Sequence, residues 1–298
     1  MAFIFPFILI CALGFSMGYS MAFPGAFCLG TIAVGINTLP STIIDFKKSS
    51  LLKRISVTPI KPIRILLSIC LFYLLIMVCS VIVMTSLTML IFINYWNIGQ
   101  NIDFAGTSLN MPSMQEVFAN VNWGEYAYCI FIIIILSLSC GLALSALFRS
   151  AGSIQAFSIM IVVLTILLSG LALPNAVIRN TPTLWYLGYI LTPFKSIITS
   201  AFEAWNGSYH QFANPSDLPE FLNWDPNWYQ MMNLQGSNIF DFTKNYSVYS
   251  TLMFPGMQPF QKIDILNGQE KMATVALPFA WIVLLFIVTM KKFKWTNR

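Results

Sequence analysis

Charge is what this sequence has least of. Only 9% of its 298 residues are Asp, Glu, Lys or Arg, against 57% hydrophobic. A soluble domain is nearer a quarter charged, so this chain cannot cover a water-exposed surface. Its mean hydropathy of +0.73 reads as an integral membrane protein. Histidine is nearly absent: the single one, His210, lies in a polar segment and reads as a surface residue. There is no His-Glu-x-x-His, which excludes the zincin type of intramembrane protease, and no metal site is expected. There is no G-x-x-x-x-G-K-[ST] either, so any ATP must be bound by another chain. The apolar runs carry almost no ionisable residues, which argues against a proton-coupled or ion-coupled transporter. Ser137, Ser139 and Ser145 have no His or Lys in register and read as helix-contact residues rather than nucleophiles. No catalytic residue is expected. The six cysteines (Cys11, Cys28, Cys70, Cys79, Cys129 and Cys140) all sit in apolar runs, against a disulfide framework or a zinc site. The pI near 8.9 does not indicate nucleic acid, because the basic residues are placed for another purpose.

That purpose shows in the long apolar runs. A helix crosses a bilayer with about twenty apolar residues. Residues 2–44 form an almost uncharged run about twice that length, punctuated by "SMAFPG" at Pro24 and Gly25. The reading is two spans, 3–20 and 25–43, joined by a tight hairpin. The absence of Lys or Arg before the first run favours a span over a cleavable signal. Further spans are expected over 63–96, 126–148, 154–173 and 273–290, six in all. With the N-terminus cytoplasmic, the segments 44–62, 148–153 and 291–298, together with Arg64, hold eleven of the sixteen basic residues and one acid, Asp45. The opposite side holds five basic and ten acidic residues. That split follows the positive-inside rule and puts both termini in the cytoplasm of a multi-pass cell-membrane protein.

The densest basic stretch is "DFKKSSLLKRISVTPIKPIR" at 45–64, with six of the sixteen basic residues. As a helix it sets Ile44, Leu51, Leu52 and Ile55 on one face, with Lys47, Lys53 and Arg54 off it and Lys48 intruding on it. The helix stops before Pro59. Such a segment lies along the membrane surface, touches anionic lipid, or docks in a partner. The longer stretch "LPSTIIDFKKSSLLKRISVTPIKPIRILLSICLFYLL" resembles the signature region of ABC exporter permeases of the second type. Lys47, Lys48, Leu52, Lys53, Arg54, Ile55, Thr58 and Pro59 fit its basic and Lys-Arg-Leu-x-x-Thr-Pro pattern. Ser50 stands where Gly is usual, and Asp45 is one position early for the usual acid. The segment "RSAGSIQAFSIMIVVLTILLSGLALPNAVIRNTPTLWYLGYILTPFKSII" is similar to the family's fifth span. There Ser169 and Gly170 are followed by Pro174, then Pro182 and Pro193 around an outer amphipathic element. The ending "KKFKW" fits as well. The resemblance covers 1–205 and 272–298.

The resemblance implies a permease subunit without an ATPase domain, paired as a homodimer or heterodimer and served by a separate ABC ATPase subunit. It makes 44–62 the coupling helix, with Asp45, Lys47, Lys48, Leu51, Leu52, Lys53, Arg54, Ile55, Thr58 and Pro59 as the docking set. It makes Ser169, Gly170 and Pro174 an outer gate. The expected fold is an all-α integral membrane protein of six transmembrane helices with a cytoplasmic coupling helix and an extracellular cap. Its parts are spans one and two (1–43), the coupling helix (44–62), spans three to five (63–174), outer helices and insert (175–271), and the last span with its basic tail (272–298). The insert at 206–271 departs from the family. It carries Trp224, Trp228, Tyr209, Tyr229, Tyr246 and Tyr249, six acidic and three basic residues, and Asn-x-Ser at Asn206 and Asn245. Its aromatics are too many for a disordered linker and predict an ordered outer cap. The cargo expected from the uncharged spans is amphipathic, drug-like or lipid-like. The competing reading is a membrane scaffold whose segment 206–271 binds a partner.

Overall fold

The computed structural model describes residues 7–8, 11, 19–49, 62–98, 101–104, 107–110, 113–148, 150–171, 182–206 and 268–293. Helix α1 runs through Tyr19–Ile32, a π-helical segment Ala33–Thr38 and Leu39–Lys48. Then come α2 (Pro62–Ile91), a 3-10 turn (Ile93–Tyr95), strands β1 (Asn101–Phe104) and β2 (Thr107–Asn110), and α3 (Met114–Asn120). Helices α4 (Trp123–Leu147), α5 (Ala151–Leu168), α6 (Pro182–Leu191), α7 (Lys195–Asn206) and α8 (Gly268–Lys292) complete the chain. The strands form an antiparallel hairpin with Asn101 opposite Asn110 and Phe104 opposite Thr107, inside the polar segment between the second and third long helices.

Among the described residues, five helical stretches are long and apolar enough to cross a membrane: Ala22–Lys48, Arg64–Ile91, Trp123–Leu147, Ala151–Leu168 and Lys271–Lys292. This is the architecture of a multi-pass membrane protein. Four of them match the expected spans from 63 onward. The expected turn at Pro24 does not form, because α1 is helical through Pro24 and Gly25 and on to Lys48. Proline is tolerated inside a span where neighbouring helices support the freed carbonyl. Gly25 serves packing instead: a Cβ there would stand 3.3 Å from Leu171 Cδ2, so the end of α5 closes directly onto α1. The first expected span, 3–20, lies largely outside the described residues.

Helices α1 and α4 form the centre. α4 packs on α1, α2, α7 and α8, and α1 also meets α5 and α7. The outer faces of α2, α5 and α8 carry Leu71, Phe72, Ile82, Ile159, Val283 and Phe286, all well exposed. Water would not tolerate apolar faces of that extent, but hydrocarbon solvates them. α1 is buried around most of its circumference, from Phe23, Phe27 and Thr31 to Gly35, Leu39 and Ile43. Its middle turn, Ala33–Thr38, is π-helical. A π turn loosens the carbonyl ladder, and hydroxyls fill the gap. Ser158 Oγ on α5 donates to the Ile36 carbonyl at 2.7 Å, and Thr38 Oγ1 donates to the Val34 carbonyl at 2.5 Å.

Candidate functional site

The basic end of the bundle is assembled from three helix termini. α1 ends at Lys48, and Ser49 is extended, with its amide and hydroxyl both returned to the Phe46 carbonyl. Lys47 turns inward, half-buried. Its ammonium donates to the Ser145 carbonyl at 3.1 Å, in the last turn of α4, and lies 4.0 Å over the Phe293 ring just past α8. The last carbonyls of a helix lack internal donors and form its negative pole, so a cation is favoured there. The ring face adds a second attraction. Asp45, Lys48, Arg64, Lys291 and Lys292 are exposed around this junction. Thus residues from all three segments expected to share the cytoplasmic side, or from their immediate borders, lie at one end of the bundle.

Of the expected docking set, the described residues hold Asp45, Lys47 and Lys48. Leu51, Leu52, Lys53, Arg54, Ile55, Thr58 and Pro59 lie outside them. The stretch they occupy begins two residues beyond Lys48 and ends at Pro62, the start of α2.

The opposite end is built from rings. Phe23 of α1 stacks on Trp205 of α7 at 4.9 Å and 12°. Phe118 of α3 meets Trp205 edge-on at 5.2 Å and Phe23 at 5.4 Å, and Tyr126 closes on Trp205 at 5.4 Å. Trp123 and Trp96 flank the cluster. The Asn122 amide donates to the Ala204 carbonyl at 2.9 Å, joining the start of α4 to the end of α7. α7 is buried along Lys195–Trp205, although it carries two charged residues. Lys195 has no exposed surface and reaches 5.0 Å from the Tyr189 ring centroid. Gly188 leaves it room, because a Cβ there would stand 2.6 Å from the Lys195 ammonium. Glu203 pairs with Lys271 at 3.4 Å, linking α7 to the start of α8.

The expected gate residues Ser169 and Gly170 form the stop of α5. Ser169 bonds back to the Thr165 carbonyl, and Gly170 takes φ 89°, a left-handed conformation that suits glycine after a helix. Leu171 then tucks under Gly25. Pro174 lies outside the described residues, as do His210 and nearly all of the 206–271 insert. Among the described residues no cluster of His, Cys, Asp or Glu is arranged to hold a metal.

Sequence reasoning gave no role to Lys195, Glu203 or the ring cluster. A partial signal was present: Lys195 and Glu203 sit eight residues apart on one short helix that begins two residues after Pro193. No family model, curated protein or solved structure matches the chain.

Proposed function

We propose that the chain is the membrane-spanning permease subunit of an ATP-binding-cassette exporter. In this reading it spans the membrane six times with both termini in the cytoplasm of a cell membrane. It works as a dimer of permeases, and a separate ATPase chain binds and hydrolyses the ATP. The observation that supports it best is the convergence of basic segments on one end, where Lys47 joins the termini of α1, α4 and α8. Residues 50–61 connect α1 to α2 in the chain. Leu51, Leu52 and Ile55 would enter a groove of the ATPase, while Lys53 and Arg54, with exposed Lys48 and Asp45, would steer and orient it. ATP-driven closure of two ATPase chains would then move the stretch and the two helices attached to it. α1 packs on α2, α4, α5 and α7, so a displacement at its base is carried into the whole bundle.

The cargo in this reading is amphipathic, drug-like or lipid-like, moving at the permease–permease interface or entering it sideways from the bilayer. The uncharged spans and the apolar outer faces of α2, α5 and α8 favour such a cargo over a small ion.

The test is Leu51→Asp combined with Leu52→Asp in the tagged protein, purified in mild detergent. The expected result is normal membrane insertion with loss of the ATPase chain that accompanies the wild type. An ATPase retained by the double variant would contradict docking through this stretch.

A further inference from the structure

The sequence pattern places Lys47 among residues that face a partner, but its ammonium faces the bundle. We infer that Lys47 is a positioning residue that staples the ends of α1, α4 and α8 together where α1 gives way to residues 50–61. Three observations carry this. The ammonium donates to the Ser145 carbonyl at 3.1 Å, in the turn where α4 runs out of internal donors. The same ammonium lies 4.0 Å over the Phe293 ring, and the Phe293 amide still bonds to the Thr289 carbonyl at 2.8 Å, so the ring is fixed to α8. Lys47 itself lies in the last turn of α1, one residue from its helical end, while its neighbours Asp45 and Lys48 are exposed. One cation therefore touches two helices that are remote in sequence and lies on a third. A neutral side chain of equal length cannot do this, because both contacts need positive charge. An arginine can, because its planar cation donates to carbonyls and stacks on rings.

What the staple does rests on the permease reading: motion imposed on 50–61 would reach α4 and α8 at their bases, through Lys47, as well as along α1. The staple itself does not depend on that reading, and the test separates the two. Hydrogen exchange is followed by mass spectrometry in detergent on peptides covering 143–148 and 289–293, for wild type, Lys47→Met, Lys47→Arg and Lys291→Met. The inference expects both peptides to exchange about tenfold faster in Lys47→Met, near wild-type rates in Lys47→Arg, and no change in Lys291→Met, which removes an exposed charge at the same end. Phe293→Leu is the second variant, and it should loosen 143–148 by removing the ring over which the Lys47 ammonium lies. Unchanged exchange in Lys47→Met, or loosening that Lys47→Arg does not repair, overturns the staple. Under the permease reading, Lys47→Met keeps the ATPase chain bound but loses the permease-dependent change in its ATP turnover, and Lys47→Arg restores it. Loss of the ATPase from Lys47→Met with exchange unchanged would make Lys47 a docking contact and overturn the inference. If wild type retains no ATPase, the permease reading fails, and the exchange result alone decides the staple.

Discussion

The outer end and the middle of this bundle are held by opposite means. At the outer end, large rings from α1, α3, α4 and α7 fill the space between helices, and α7 is buried along its described length. Through the middle of the bundle the helices meet through the absence of side chains. Gly35 of α1 and Gly141 of α4 bring their backbones together, and a Cβ on Gly141 would overlap the Gly35 carbonyl oxygen. Gly30 makes a similar approach to Ser80 of α2, where an added Cβ would stand 2.7 Å from the hydroxyl. Helices in lipid gain little from hiding apolar surface from one another, so close backbone approach through small residues becomes a main source of contact. At the outer end the rings provide contact through bulk and through the geometry of their quadrupoles. The difference gives each region its own vulnerability: the middle fails when side chains grow, and the outer end fails when they shrink.

That contrast can be broken directly. The largest effect is expected from Gly141→Val, which forces α1 and α4 apart at a point where backbone, not a flexible side-chain tip, is in the way. Overpacking of this kind costs about 3 kcal/mol or more. The variant should give no monodisperse peak in size-exclusion chromatography, and a well-behaved protein would show that the close approach is absent. Trp205→Ala comes next. It removes the ring shared by Phe23, Phe118, Trp123 and Tyr126, with an expected loss of about 3–5 kcal/mol read as a lower thermal midpoint in detergent. A midpoint within error of wild type would mean the cluster contributes nothing to holding the outer end. The smallest effect is expected from Glu203→Gln. Glu203 is buried but Lys271 is half-exposed and can turn to water, so the cost should be about 1 kcal/mol, read in the same melt. A loss as large as that of Trp205→Ala would make the ion pair, rather than the rings, the outer end's main tie.

Much of the bundle was legible in the sequence because hydropathy alone marks a span: the four long helices from residue 62 onward lie where the apolar runs put them. The convergence of Lys47, Ser145 and Phe293 at one end agrees with the charge asymmetry, which is also a property of composition along the chain. The proline at position 24 misled, because Pro-Gly is a turn signal in water but a packing site within a membrane helix whose neighbours close over it. The π segment at Ala33–Thr38, the hairpin at 101–110 and the ring cluster had no trace in the sequence. Each depends on residues brought together by tertiary packing, and Phe23, Phe118 and Trp205 share no period or motif. The inward turn of Lys47 was equally invisible, since one lysine in a basic run looks like the next until the carbonyl and ring it meets are placed.

The central proposal is that this bundle is driven by a separate ATPase chain that docks on it. Its most direct test is affinity purification of the tagged wild-type protein from mild detergent, with every co-purifying chain identified by mass. The account predicts a chain bearing G-x-x-x-x-G-K-[ST] in amounts comparable to the tagged protein. A stable partner held through residues 206–271, with no such chain present, would contradict it and put a membrane scaffold in its place.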